Sequence, residues 1–148
     1  MPLGEKALAP AIASHFIAMG YNVVPEIELG GRRADLLAVD DSELVAIELK
    51  IREWRLAIRQ TMAYQLAADR AFVALPLQYA HGAHRARHLF DREGIGLLAV
   101  GPGDDVRTVL EATPSPRRLP ALTESVRDRL AVEKSTRSPD AARRWVTR

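Results

Sequence analysis

The sequence predicts an α/β fold, a mixed central sheet flanked by helices, in the order helix, three strands, helix, strand, helix, strand. Three observations predict it. Short runs rich in Val, Ile, Leu and Ala at 21–29, 34–39, 44–50, 71–75 and 95–100 have the length and character of strands. Stretches with helical spacing or helix-forming composition lie between them, at 5–19, 53–69 and 81–91. Glycine, proline and polar clusters fall at the junctions.

In the first helix Leu8, Ile12, Phe16 and Met19 recur at helical spacing, and Gly20 is a stop signal. Pro10 either belongs to the first turn or bends the helix. The strand at 21–29 contains Pro25, which points to a sheet edge or a bulge. Gly30–Gly31 reads as a turn. The runs 34–39 and 44–50 flank the polar tetrad Asp40–Glu43 and form a hairpin pattern. Residues 53–69 lack Gly and Pro, and their apolar residues surround the axis, so burial on more than one side is expected. The strand 71–75 stops at Pro76, a helix is expected around 81–91, and a last strand near 106–111 is compatible with the pattern.

Two regions follow from composition. Residues 1–112 carry the regular pattern and form the expected domain. Residues 113–148 are a Pro/Arg-rich extension: Pro114, Pro116 and Pro120 read as a linker, 121–134 as one helix, and 135–148 as disordered or ordered on binding. The net charge is +2, yet residues 117–148 hold nine basic and four acidic side chains. The extension is therefore a candidate for contact with nucleic acid or a partner protein. Cysteine is absent, which excludes disulfides, thiolate zinc sites and cysteine nucleophiles and fits a cytoplasmic location. No apolar run approaches the roughly 20 residues of a membrane span, and no signal-peptide pattern is read at the N-terminus.

Chemistry concentrates on the second hairpin. Side chains alternate along a strand, so Leu44, Ala46, Glu48 and Lys50 share one face, while Val45, Ile47 and Leu49 form an apolar face. A loop symmetric about Asp41–Ser42 pairs Val39 with Leu44, and counting back sets Asp35 opposite Glu48. Opposed side chains on one face lie about 4.5–5.5 Å apart at Cβ. Two carboxylates at that spacing raise one pKa or bind a cation, and hard oxygen donors suit Mg²⁺ or Mn²⁺. Lys50, two residues on, could orient water and offset charge on a phosphate. The plain alternative is a surface hairpin in which Glu48 and Lys50 form a solvated ion pair and Asp35 ends a turn.

Ala34–Asp35 followed by Glu48–Leu49–Lys50, set between two helices, resembles the PD-(D/E)XK, or restriction-endonuclease-like, nuclease superfamily over residues 4–100. The family's proline before the Asp is replaced by Ala34. The resemblance implies a core of helix, three-strand meander, helix and strand, with metal-dependent hydrolysis of phosphodiester bonds, here more in DNA than in RNA. It implies that Asp35, Glu48 and the Leu49 carbonyl hold the metal and that Lys50 assists the water. Glu5 matches an acid common on the family's first helix. Gln60 and Tyr64 are similar to the Gln-x-x-x-Tyr signature of RecB-type members, with Gln65 an equal candidate for the glutamine. Holliday-junction resolvases of this fold act as dimers, so a homodimer is compatible.

Arg32, Arg33, Arg52, Arg55 and Arg59 flank the motif and are candidates for phosphate contact, or a solvated rim. His81, His84 and His88 fall on one predicted helical face; zinc, a DNA-facing basic surface with Arg85, Arg87 and Arg92, and an ordinary exposed face are the readings weighed. Phosphate-loop and dinucleotide motifs are absent, and no spacing suggests a serine triad. A catalytically silent nucleic-acid-binding or regulatory module is the competing function, and an adaptor acting through its C-terminal helix is the third.

Overall fold

A computed structural model describes residues 4–136. A short 3₁₀ turn, Glu5–Leu8, leads into α1 (Ala9–Ala18), followed by β1 (Asn22–Leu29), β2 (Arg32–Val39), β3 (Leu44–Leu49), α2 (Trp54–Tyr64), β4 (Arg70–Pro76), α3 (Leu77–Arg85), α4 (Arg87–Glu93), β5 (Gly96–Val100), β6 (Val106–Leu110) and α5 (Pro120–Thr136). The six strands form one sheet in sequence order. β1, β2 and β3 are antiparallel, β3, β4 and β5 are parallel, and β6 returns antiparallel at the far edge. The fold is α/β with a mixed sheet and helices on both faces.

Both faces of the sheet are covered, which explains why β3 and β5 are buried at every residue. On one face Ile12 and Phe16 of α1 meet Val45, Ile47, Leu49, Phe72 and Leu98. Phe16 and Tyr21 pack edge to face, with centroids 5.5 Å apart. On the other face Tyr64, Val126 and Leu130 cover Leu37, Leu44 and Ala46. Trp54 of α2 stacks on Phe90 of α4 at 5.7 Å over Val73, Leu75 and Leu97.

Several elements depart from the sequence expectation. The helix expected over 5–19 begins as a 3₁₀ turn and becomes α-helical at Ala9, with Pro10 in the first turn, where its missing N–H has no partner to lose. The helix expected over 53–69 stops at Tyr64. The single helix expected at 81–91 is two: α3 starts immediately after Pro76, and Ala86, at φ −104° and ψ 29°, breaks the ladder before α4.

The first hairpin changes faces halfway. Val23 belongs to the α1 side, whereas Val24, Ile27 and Leu29 belong to the α2 side. The alternation fails at Glu26, a left-handed residue at φ 50°, and the pairing passes from Pro25↔Leu36 to Ile27↔Ala34 around it. On β2, Leu36 and Ala34 likewise face opposite sides across Asp35. The hairpin tip therefore folds onto α2, where Gly30, at φ 58°, lies so close to the Ala63 carbonyl that a Cβ would collide with it. Pro25 sits on an edge strand, as its missing donor requires.

The segment from Thr113, expected as a linker, runs as a strap across the body. Its backbone bonds Asp69 through Ser115 and Leu66 through Leu119. Arg117 joins Glu93 and the amide oxygen of fully buried Gln65. Thr123 of α5 donates to the Ala67 carbonyl at 2.8 Å. The helix expected at 121–134 is α5, which runs on through Thr136, two residues into the segment expected as disordered; the rest of that segment, 137–148, lies outside the described residues.

Candidate active site at the end of the β2–β3 ladder

The β2–β3 ladder runs from Val39↔Leu44 to Leu36↔Ile47. This is the register counted from the loop, and its next step brings Asp35 beside Glu48. There the ladder opens. Asp35 Oδ2 accepts the Leu49 N–H at 2.8 Å, replacing a backbone acceptor with a carboxylate.

Glu48 is 5% exposed. Its Oε1 accepts from the Tyr64 hydroxyl at 2.6 Å. With the Gln60 amide oriented to satisfy both of its neighbours, Nε2 donates to Glu48 Oε2 at 2.8 Å and the amide oxygen accepts from Arg32 Nη2 at 3.2 Å. α2 supplies both partners because Gln60 and Tyr64 lie one turn apart on the same face. The Tyr64 oxygen also lies 2.9 Å from the Arg33 carbonyl, so the hydroxyl ties the hairpin to the carboxylate.

Burial pushes Glu48 up to about 7, and the neighbouring Asp35 charge adds to the rise. The Tyr64 hydrogen bond and the Lys50 and Arg32 charges pull the other way and only partly offset it. Tyr64 is itself raised by burial and by Glu48, so it remains a phenol and a donor.

Lys50 leaves the strand with its backbone N–H on the Ala74 carbonyl, and its side chain is 15% exposed. Its ammonium lies 3.8 Å from Glu5 Oε1. The 3₁₀ turn thus brings Glu5 to the lysine, although Glu5 is not on the first α-helix as the resemblance implied. Asp35, Glu48, Lys50, Glu5, Gln60, Tyr64 and Arg32 are gathered here. Gln65 is not, since its amide is committed to Glu93 and Arg117. Arg33 contributes its carbonyl and leaves its side chain exposed. Arg52 and Arg55 lie over the Tyr79 and Trp54 rings at 5.2 and 4.2 Å. His81 and His84 are on α3 and His88 on α4, all exposed, with the Ala86 break between the helices.

Sequence reasoning missed Glu26 and Lys6, which pair at 2.9 Å beside the site. Lys6 also feels the charge of Asp35. The signal was available: the same counting, applied to the Gly30–Gly31 turn, sets Glu26 against Asp35. Glu26, Asp35 and Glu48 then form one row across three strands.

Among the described residues no group of three or more His, Cys, Asp or Glu side chains forms a metal cage. A Mg²⁺ site needs less: one or two carboxylates, with waters and substrate phosphate completing the shell. Asp35 and Glu48 are hard donors set side by side, and each bonded carboxylate oxygen keeps a further lone pair. The pair fits a divalent cation on those grounds. Among the described residues no helix is long and apolar enough to cross a membrane.

No family model and no curated protein matches the chain. A solved structure, the SPO1766 protein of unknown function from Silicibacter pomeroyi, is similar, with a TM-score of 0.68 and 23% identity over 91% of this chain and 89% of that one. The two share a fold. At this identity the likeness carries the architecture and nothing about activity.

Proposed function

We propose that the chain is a Mg²⁺- or Mn²⁺-dependent nuclease that hydrolyses phosphodiester bonds in DNA. The observation that carries this reading is the pairing of Asp35 with a buried Glu48 pushed up to about 7, with the Lys50 ammonium two residues further on. A fold that packs a second carboxylate against a desolvated one gains from a cation between them. Asp35 and Glu48 would hold it, with the Leu49 carbonyl as the third protein donor that the family resemblance implies. When bound, the cation polarises the phosphate and offsets its developing charge.

The remaining chemistry belongs to side chains of this chain. Lys50 Nζ holds the attacking water and faces the negative charge that builds on the phosphoryl oxygens. Glu5, 3.8 Å away, keeps that ammonium directed inward. Tyr64 and Gln60 fix the Glu48 carboxylate in one orientation. The oxygen–phosphorus bond of the incoming water forms, the bond to the leaving sugar oxygen breaks, and the water proton ends on the leaving oxygen.

A panel of supercoiled, linear, single-stranded and four-way-junction DNA, incubated with Mg²⁺ or Mn²⁺, tests the reading. Cleavage is expected with metal, and Lys50→Ala is expected to lower it by about 10²–10³-fold, the scale of losing one aimed charge donor, without unfolding. Full activity in Lys50→Ala defeats the mechanism. A second reading, a nucleic-acid-binding module that has lost turnover, is favoured by one observation: both Glu48 oxygens already have protein donors, as in a structural buried acid. Salt-dependent DNA binding with no cleavage of any substrate by folded protein would select it.

A further inference from the structure

The carboxyl ends of β3, β4 and β5 open into a cleft of about 840 Å³. This is the edge at which open α/β sheets hold ligands. Leu8, Ile51, Leu77 and Val100 supply apolar walls, while Arg52, Tyr79, His81 and Asp104 bring polar groups to it. The Arg52 guanidinium lies over the Tyr79 ring, 5.2 Å from its centroid, a stacked pair of cation and ring at the cleft wall. Ile51 and Arg52 directly follow Lys50, so the cleft begins where the candidate active site ends.

The dimensions select the occupant. The cleft's volume lies within the range of small-ligand pockets, about 300–1,000 Å³, which suits a single nucleotide. Apolar walls, an aromatic platform and an exposed arginine match the base, its stacking face and its phosphate. Asp104 offers an acceptor to an exocyclic amine, as carboxylates do for the amino group of cytosine.

We propose that this cleft holds one unpaired nucleotide of the DNA strand being cut, with its base stacked against the Tyr79–Arg52 pair and its phosphate on the Arg52 N–H donors. The site then favours single-stranded ends, flaps or gaps over continuous duplex. The placement of the cut strand rests on the nuclease reading above; the binding of an unpaired nucleotide does not.

Anisotropy of labelled DNA with the full chain in EDTA separates the two, because binding is read without turnover. A duplex with a single-stranded tail is expected to bind at least tenfold more tightly than the same duplex with blunt ends. Tyr79→Ala is expected to remove most of that preference, a loss of about tenfold in line with one base–aromatic stack, and to leave blunt-duplex binding unchanged. Tyr79→Phe retains the ring and is expected to bind like wild type, which distinguishes lost stacking from lost folding. Arg52→Ala is expected to weaken tail binding and its salt dependence together. Equal affinity for tailed and blunt DNA, or a Tyr79→Ala protein that keeps the preference, overturns the proposal. Tighter binding of an RNA tail of the same sequence overturns its assignment to DNA. Tail-specific binding with no hydrolysis after Mn²⁺ is added defeats the nuclease reading and leaves the cleft's assignment standing.

Discussion

At the end of β3, Glu48 exchanges water for a phenol, an amide and a second carboxylate. The exchange favours the protonated acid, whose value rises from 4.5 to about 7 on folding. The native state then holds the extra proton between those values, so stability falls as pH rises from about 4.5 to about 7 and stays lowered above it. The shift corresponds to at most about 3 kcal/mol. Glu48→Gln removes the charge and keeps an oxygen for Tyr64, and Gln60 can turn its amide to offer an oxygen. Urea denaturation is expected to find Glu48→Gln more stable than wild type at pH 8, by up to about 3 kcal/mol, and close to it at pH 4.5. A variant that is less stable at pH 8 would show that Glu48 is anchored by its charge. Tyr64→Phe should act oppositely: it strips the one hydroxyl donor that the buried carboxylate and the Arg33 carbonyl share, at a cost of about 1–3 kcal/mol in the same assay. The Asp35–Glu48 pairing was legible because loop symmetry and strand alternation fix it. The glutamine was not settled by sequence, since Gln60 and Gln65 are both near the tyrosine and the partner that takes Gln65, the Glu93 carbonyl, is 28 positions away in the chain.

Among elements, the first hairpin is the one whose shape the site depends on. Its reversal at Glu26 and Asp35 carries the tip over α2 and brings Arg32 and the Arg33 carbonyl to Gln60 and Tyr64. Gly30 permits the contact. Gly30→Ala adds a Cβ into the Ala63 carbonyl at positive φ and is expected to cost about 2–4 kcal/mol, as overpacking and left-handed strain add. Gly31→Ala meets nothing within 4 Å and is expected to lose only the left-handed term, about 1–2 kcal/mol. Thermal melts of the two variants check the order, and equal losses would mean the tip does not press on α2. The turn itself was evident from Gly30–Gly31, but the change of face was not, because alternation assumes a regular strand and Glu26 departs from one. The helix boundaries failed for related reasons. Nothing in Ala86 marks a break locally, and the stop of α2 at Tyr64 answers to the strap above it.

For the molecule as a whole, order extends past the region that looked regular. Val126 and Leu130 of α5 complete the core around Tyr64, and Arg117 closes on Gln65 across 52 positions of chain. Contacts of that range leave no periodic signal, and a segment with three prolines reads as a linker by composition alone. A chain ending at Ala112 would uncover this core and is expected to melt at a markedly lower temperature or aggregate; unchanged melting would mean the strap is dispensable. The mixed sheet and its flanking helices, by contrast, followed from the succession of short apolar runs and helical stretches along the chain. The central claim is that this framework sets Asp35 and Glu48 together as a divalent-cation site serving hydrolysis. Calorimetric titration of Mn²⁺ into the metal-free protein tests it most directly. Saturable binding is expected in wild type and in Lys50→Ala, with loss of at least tenfold in Asp35→Asn and in Glu48→Gln. Absence of binding in wild type, or binding that survives both carboxylate substitutions, would contradict it.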